Sequence, residues 1–376
     1  MTTVRAIATQ TPQHSINQED ALHIAKLRNQ PRASQEFWMR AIYSKSGVSE
    51  RYSVLLEQSA SPETLPEFRQ SFYADKSTAE DLGPTTAQRM QQYSQHAPEL
   101  AVQVCTAALV NSHLEPADIT HLITVSCTGF AAPGVDIHIM KQLPLEPNVA
   151  RTHIGFMGCH GAMNALRVAD HIVRANSQAK VLICAVELCS LHYQYGFHPD
   201  QIIANALFAD GAAAMCVTAD PTADPTVDNA SQPQLHLIGN GSYLFPDSLD
   251  AMTWQVGDHG FAMTLSPRVP ELIDSQLKPW LESWLRTYHL SIADIDHWAI
   301  HPGGPKILDA VLNSLGLAHE KAETSRNILR SFGNMSSPTS FFVLQAIQSQ
   351  KATGKCLMLG FGPGLAAEVA LLDFRS

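Results

Sequence analysis

The stretch Arg151-Thr-His-Ile-Gly-Phe-Met-Gly-Cys-His-Gly-Ala-Met-Asn-Ala-Leu166 decides how the chain reads. An extended run gives way here to an apolar helical pattern (Ala162, Leu166, Ala169, Val173), with Cys159 at the junction between Gly158 and Gly161. A thiol so placed sits at a helix N-terminus, where unpaired backbone N–H groups and the macrodipole favour an anion. Such a setting lowers a thiol pKa from about 8.5 to roughly 3.5–7.5 and makes thiolate available at neutral pH. Glycines on either side let other groups approach the sulfur closely. A buried structural cysteine fits the same local pattern, so the choice rests on what the rest of the chain supplies.

A faint internal repeat supplies a partner. Ala117-Asp-Ile-Thr-His-Leu-Ile123 matches Ala293-Asp-Ile-Asp-His-Trp-Ala299, each running into a buried strand. Farther on, Gly158-Cys159 precedes a helix and then Ala179-Lys-Val-Leu-Ile183; Gly333-Asn334 precedes a helix and then Gly354-Lys-Cys-Leu-Met358. Lys180 follows Cys159, and Lys355 follows Asn334, by the same 21 residues (180 − 159 and 355 − 334). Two matches in register predict an α/β fold duplicated about a pseudo-two-fold axis. Cys159 and Asn334 then occupy equivalent helix N-termini and meet near that axis.

Outward from this frame, residues 121–126 and 181–186 read as buried strands, and 85–112 as a long helix in spite of Pro98. Residues 17–58 read as mostly helical, and 60–80, with Pro62 and Pro66, as a surface loop. The clearest linker is 220–234, rich in Asp, Pro and Thr. It divides the chain into an N-terminal half, 1–222, carrying the cysteine, and a C-terminal half, 223–376, carrying His301 and Asn334.

Composition narrows the function classes. A formal charge of −10 without any basic block disfavours nucleic acid as a partner. The seven cysteines are odd in number and never in C-x-x-C spacing, a reduced intracellular pattern rather than a disulfide framework or a zinc site. The 17 histidines form no H-E-x-x-H motif, so no metal is expected. Met1-Thr-Thr-Val-Arg-Ala-Ile7 lacks a signal-peptide core, and no apolar run reaches the ~18 residues of a membrane span. A cytoplasmic protein is the expectation.

The repeat also nominates His301, which ends the strand His297-Trp-Ala-Ile300 and precedes Pro302-Gly-Gly-Pro305. Alone it reads equally as a hydrogen-bonded core histidine. Asn334, next to Gly333, reads alone as a helix N-cap. Together with Cys159 they form a coherent set for acyl-thioester chemistry. The histidine can pair with the thiolate, and the His and Asn N–H groups can stabilise an enolate or oxyanion.

With these residues in view, the chain resembles the type III polyketide synthases, the chalcone synthase-like branch of the thiolase-fold condensing enzymes. The likeness rests on Gly158-Cys159, Ala206-Leu-Phe-Ala-Asp-Gly-Ala-Ala213, His301-Pro-Gly-Gly-Pro305, Gly333-Asn-Met-Ser-Ser337 and Gly360-Phe-Gly-Pro-Gly364, spread over nearly the whole length. The resemblance implies a duplicated, layered αβαβα thiolase-like fold and a homodimer. By position, Cys159 takes the starter acyl group from a coenzyme A thioester. His301 and Asn334 then promote decarboxylation of malonyl-CoA and hold the enolate for Claisen condensation. Coenzyme A thioesters are substrates, and no cofactor is implied. Phe208 aligns with a gatekeeper between the coenzyme A tunnel and the elongation cavity.

Several positions depart from the plant pattern. The second gatekeeper position, usually Phe, falls on Met263, a softer boundary. Trp254 stands where plant members often have glycine and fills the space of an aromatic starter. Cys189 replaces a common Thr, as in bacterial members that accept long alkyl starters. Thr128, His192 and Ser336 are expected to line the cavity, and Ala132 takes the place of a Met at the dimer interface. For coenzyme A, the resemblance points to Arg40, Lys45 and Lys306, with Gly303 and Gly304 at the pantetheine mouth. The leading expectation is therefore an alkyl-primed synthase making a pyrone or resorcinol. The alternatives are a single-step ketoacyl synthase III-like enzyme, which would need a carrier protein, and a catalytically silent acyl-binding protein, which would need none of the three polar residues.

Overall fold

The computed structural model describes residues 1–57, 70–78, 80–219 and 234–375. Its strands are β1 (Thr2–Gln10), β2 (Ser15–Asn17), β3 (Glu50–Tyr52), β4 (His121–Ser126), β5 (Ala150–Gly155), β6 (Lys180–Leu188), β7 (Asp210–Ala219), β8 (Gln234–Leu244), β9 (Met252–Gly257), β10 (Gly260–Leu265), β11 (His297–Ile300), β12 (Gly354–Gly362) and β13 (Ala366–Arg375). Nine of them are joined in the order β11-β12-β13-β8-β1-β7-β6-β4-β5.

The duplication is visible in that order. The halves meet at β1 and β8, paired antiparallel through Thr2↔Leu237, Thr3↔His236 and Val4↔Leu235. Outward from the seam run β7, β6 and β4 on one side and β13, β12 and β11 on the other. The senses match as well: β6–β7 and β12–β13 are antiparallel, β4–β6 and β11–β12 parallel. The strands that the repeat equates, β4 with β11 and β6 with β12, occupy equivalent places.

Alternation along the strands sets the layers. Ile123, Ile183 and Met215 from one half, and Met358 and Ala370 from the other, share a core with Leu166 and Leu344 of helices Gly161–Ala175 and Thr339–Ser349. The alternate residues Leu122, Leu182 and Cys216 pack on helix Thr86–Ser112. Leu357, Leu359 and Leu371 pack on helices Val269–Arg286 and Pro305–Leu315. The result is helix, sheet, helix, sheet, helix. Both faces of each half-sheet are covered, which is why the central strands read as continuous apolar runs.

Helix Thr86–Ser112 starts at a Thr85–Gln88 capping box and runs through Pro98. The mostly helical reading of 17–58 holds for two helices, with a break between them. Pro31 lacks the N–H that an α-helix requires and biases Gln30 away from helical geometry. Gln30 turns left-handed (φ 48°) and separates helix Gln18–Asn29 from helix Ala33–Ser44. Flanking them, β2 and β3 pair antiparallel. Of the expected loop 60–80, residues 70–78 and 80 contain neither helix nor strand, and the rest lies outside the described residues. The linker 220–234, with the 222/223 boundary, also lies outside them except for Gln234, which opens β8. Among the described residues no helix is long and apolar enough to cross a membrane.

Candidate active site

The turn carrying Cys159 follows β5. A short 3-10 turn, Gly158–His160, leads into helix Gly161–Ala175. Gly158 has φ 70°, and a Cβ on it would lie 2.3 Å from Pro363 Cδ; one on Gly161 would lie 2.8 Å from Val125 Cγ1. Neither position has room for a side chain. Gly158 N donates to Cys127 Sγ at 3.0 Å, tying the turn to the end of β4. Ser336 shares a cavity wall with Cys159, and the Ser336 and Asn334 side chains lie close enough to the sulfur to favour its anion.

The expected lowering of the thiol pKa is not what the site produces. Burial pushes Cys159 up to about 11; the Ser336 and Asn334 side chains oppose this, and the nearby Glu187 reinforces it. Desolvation of the anion outweighs the helix-terminal donors here, so the resting residue is a thiol.

Asn334 is buried, and its Oδ1 accepts from Ser336 N at 2.8 Å. That bond closes a local turn and commits the carbonyl end of the amide. Asn334 does not cap a helix, because helix Thr339–Ser349 begins after Pro338. The repeat therefore brought Cys159 and Asn334 together correctly, while the capping alternative fails.

His301 follows β11, its N–H donating to Leu359 O at 2.7 Å. The side chain is 2% exposed, and neither ring nitrogen has a hydrogen-bond partner among the described residues. Burial, helped by the adjacent His160, pushes its pKa down to about 3, so the imidazole is neutral. A Cβ on Gly360 would lie 3.4 Å from His301 Cβ and 3.5 Å from His160 Cβ; one on Gly362 would lie 2.4 Å from His160 Nε2. The glycines of Gly360-Phe-Gly-Pro-Gly364 thus let β12 press both histidines against the turn carrying Cys159.

A small chamber of about 40 Å³ opens at the thiol, lined by Cys159 with Thr128, Cys189, Phe208, Trp254, Met263 and Ser336 among others. Cys189, Phe208, Trp254 and Met263 also line a second cavity of about 130 Å³, which extends under helices Gln18–Asn29 and Ala33–Ser44. These four side chains form the partition between the two. Trp254 is fixed by its Nε1–H donating to Cys127 O at 2.7 Å. His192 lines the second cavity and stacks on Phe261, centroids 4.1 Å apart. Phe261 N donates to His192 Nδ1 at 3.0 Å, so the ring proton sits on Nε2, which donates to Thr128 O at 2.7 Å.

With this geometry in place, two family models match: "Chalcone and stilbene synthases, N-terminal domain" over residues 1–221 and "Chalcone and stilbene synthases, C-terminal domain" over 237–374. The chain belongs to this family, the type III polyketide synthases. A curated relative, the "Alpha-pyrone synthesis polyketide synthase-like Pks18" of Mycobacterium tuberculosis, is 34% identical over 98% of this chain and 90% of its own length. Among solved structures, PKS-I from the brown alga Ectocarpus siliculosus superposes with a TM-score of 0.88 at 29% identity, covering 99% of this chain and 98% of that one. The 1,3,6,8-tetrahydroxynaphthalene synthase of Streptomyces coelicolor A3(2) gives 0.84 at 27% identity, covering 100% and 99%.

The synthase has a buried carboxyl that the sequence reading passed over. Glu187, fully buried on β6, accepts hydrogen bonds from Cys127 N (2.9 Å), Thr128 Oγ1 (2.7 Å) and Ser337 Oγ (2.7 Å). It joins the end of β4 to the turn after Asn334. Burial pushes its carboxyl up to about 7 against those hydrogen bonds. Its only signal in sequence was an acidic residue inside an apolar strand.

The residues suggested for coenzyme A lie apart from both cavities. Arg40 is exposed and paired with Glu36 at 3.3 Å. Lys45 caps helix Ala33–Ser44, and Lys306 opens helix Pro305–Leu315; both are exposed. A Cβ on Gly304 would come 3.6 Å from Leu207, and one on Gly47 2.9 Å from Pro305. The Gly303-Gly304-Pro305 turn is thereby close to Leu207, next to Phe208, and to Gly47, two residues past Lys45. Among the described residues no cluster of three or more His, Cys, Asp or Glu is placed to hold a metal ion.

Proposed function

We propose that the synthase is an acyltransferase that primes Cys159 from an acyl-CoA, extends the chain with malonyl-CoA and releases a pyrone or resorcinol. The observation that carries this reading is Cys159 beside Asn334 and Ser336 in a small chamber that shares the wall of Cys189, Phe208, Trp254 and Met263 with a larger, largely apolar cavity. An α-pyrone product is also supported by the name of the mycobacterial relative.

His301 has no hydrogen-bond partner on either ring nitrogen among the described residues, which leaves a nitrogen to accept a proton first. It takes the Cys159 proton as sulfur attacks the starter carbonyl, then returns that proton to the coenzyme A sulfur as its C–S bond breaks, so the coenzyme leaves as its thiol and His301 is neutral again. For extension, His301 and Asn334 donate N–H groups to the malonyl thioester oxygen. The bond to the carboxylate breaks, CO₂ departs, and the electron pair remains as an enolate on those donors. The enolate carbon attacks the acyl-Cys159 carbonyl, and the Cys159 sulfur leaves. Loss of CO₂ makes each round effectively irreversible. The chemistry needs neither metal nor redox cofactor.

Phe208 and Met263 act as the gate, and Trp254 closes off the space of an aromatic starter, which favours an alkyl one. Arg40, Lys45 and Lys306 supply local positive charge for the coenzyme A phosphates, with Gly303 and Gly304 at the mouth. The enzyme works as a cytoplasmic homodimer. The decisive experiment is mass spectrometry of products from a panel of acyl-CoA starters with malonyl-CoA and no carrier protein. Pyrones or resorcinols are the expected result. A requirement for a carrier protein would overturn this reading in favour of a single-step ketoacyl synthase.

A further inference from the structure

The second cavity does not end as a plain alkyl slot would. Much of its lining is apolar (Ile16, Ala21, Ile24, Leu55, Leu56), yet Arg28 and Arg51 also line it, and among the described residues no Asp or Glu does. In a chain of formal charge −10 this is a local reversal of sign. Arg51 is accounted for by the fold. It is 9% exposed and donates to the carbonyls of Asn205 and Phe208 at the C-terminal end of helix Pro199–Leu207, where a cation suits the helix dipole.

Arg28 is not accounted for in the same way. It is 5% exposed, and its Nη1 pairs with Asp75, whose side chain is 67% exposed and so keeps most of its hydration. Its Nε, fully buried, has no hydrogen-bond partner among the described residues. A buried guanidinium N–H is costly to leave unmade, and Arg28 lines a cavity divided from the thiol chamber by Cys189, Phe208, Trp254 and Met263, so an acceptor brought in by a ligand tail that passes this partition would satisfy it.

We propose that this cavity holds the starter's tail and that Arg28 receives an oxygen at its far end. The preferred starter is an ω-oxygenated acyl-CoA, hydroxyl- or carboxylate-terminated, with an apolar body. The proposal rests on the reading of the chain as an acyl-CoA-primed synthase and adds the chemistry of the distal end.

The test compares plain, ω-hydroxy and ω-carboxy acyl-CoA thioesters at matched lengths from hexanoyl to tetradecanoyl, each with malonyl-CoA, by kcat/KM. At the length that reaches Arg28, at least one oxygenated starter is expected to exceed its plain counterpart by about tenfold. Arg28→Leu should bring that ratio to about one, and Arg28→Lys should retain part of any carboxylate preference. Should Arg28→Leu not fold, Asp75→Asn, which frees Arg28 from its exposed partner, should raise the ω-carboxy ratio. Equal or better use of plain chains at every length, or a ratio indifferent to these substitutions, overturns the proposal and leaves the synthase reading standing. Failure of every acyl-CoA to prime would instead overturn the synthase reading itself.

Discussion

Asn334 and Phe208 lie side by side in an isolated parallel bridge: Asn334 N donates to Leu207 O at 2.8 Å, and Ala209 N donates to Asn334 O at 2.9 Å. Asn334 and Phe208, one from each half of the duplication, are thus locked together through main chain alone. The Asn334 side chain can be changed without moving Phe208. Asn334→Ala should lower the condensation rate by about 10²–10³-fold, the loss of one oxyanion donor, with little change in KM for the starter. Steady-state kinetics measure both, and unchanged turnover would remove Asn334 from the site.

Decarboxylation and condensation should separate at Cys159. The groups proposed to receive the malonyl oxygen are the N–H donors of His301 and Asn334, and each residue has main-chain anchors apart from the sulfur. Asn334 is held by Ser336 N and the bridge, His301 by Leu359 O. Cys159→Ala is expected to abolish polyketide formation while CO₂ release from malonyl-CoA continues. Normal product from that variant would contradict the nucleophile assignment.

The order of elements was legible because buried strands and the 21-residue spacings repeat locally. The pairing of Cys159 with Asn334 followed from that repeat by symmetry. The thiol pKa did not, because local helix position is visible in sequence and the burial that outweighs it is not. Glu187, Phe261 and Arg28 escaped for a related reason. Each acquires its role from partners distant in sequence, such as Ser337 for Glu187 and His192 for Phe261.

Gly158 offers a test of the turn itself. Its positive φ disfavours any side chain, and the 2.3 Å approach to Pro363 Cδ leaves no room for one. Gly158→Ala should destabilise the protein by roughly 1–3 kcal/mol through strain and overpacking. It should also lower kcat by misplacing Cys159. Denaturant unfolding and turnover assess the two effects, and a variant with wild-type values in both would show that the turn tolerates a side chain.

Glu187 predicts a pH dependence with a definite sign. Its pKa is about 7 in the fold against an ordinary 4.5. Between those values the folded protein keeps a proton that the unfolded chain gives up. The contribution is therefore full at low pH and lost as pH rises through 7. His192 and His301, both lowered from 6.5 to about 3, contribute the opposite slope below 6.5, so the wild-type profile alone does not isolate the effect. The stability gap between wild type and Glu187→Gln does. It should shift against the wild type by on the order of 3 kcal/mol from pH 4.5 to above 7, measured by urea unfolding at each pH. Parallel profiles would mean that Glu187 titrates normally.

The partition between the cavities makes the sharpest claim about substrate. Cys189 is 5% exposed and lines both spaces. Trp254, anchored on Cys127 O and set edge-on to His192 and Phe261, closes the alternative direction. A long acyl chain on Cys159 therefore passes the thiol of Cys189. Cys189→Phe should reduce kcat/KM for long-chain starters on the order of 10²-fold and leave acetyl-CoA priming near its original rate. Cys189→Ser, similar in size, should keep long chains. Trp254→Gly should reopen the space it fills and admit aromatic starters without restoring long chains to the Cys189→Phe background. Undiminished use of long chains by Cys189→Phe would place the tail elsewhere.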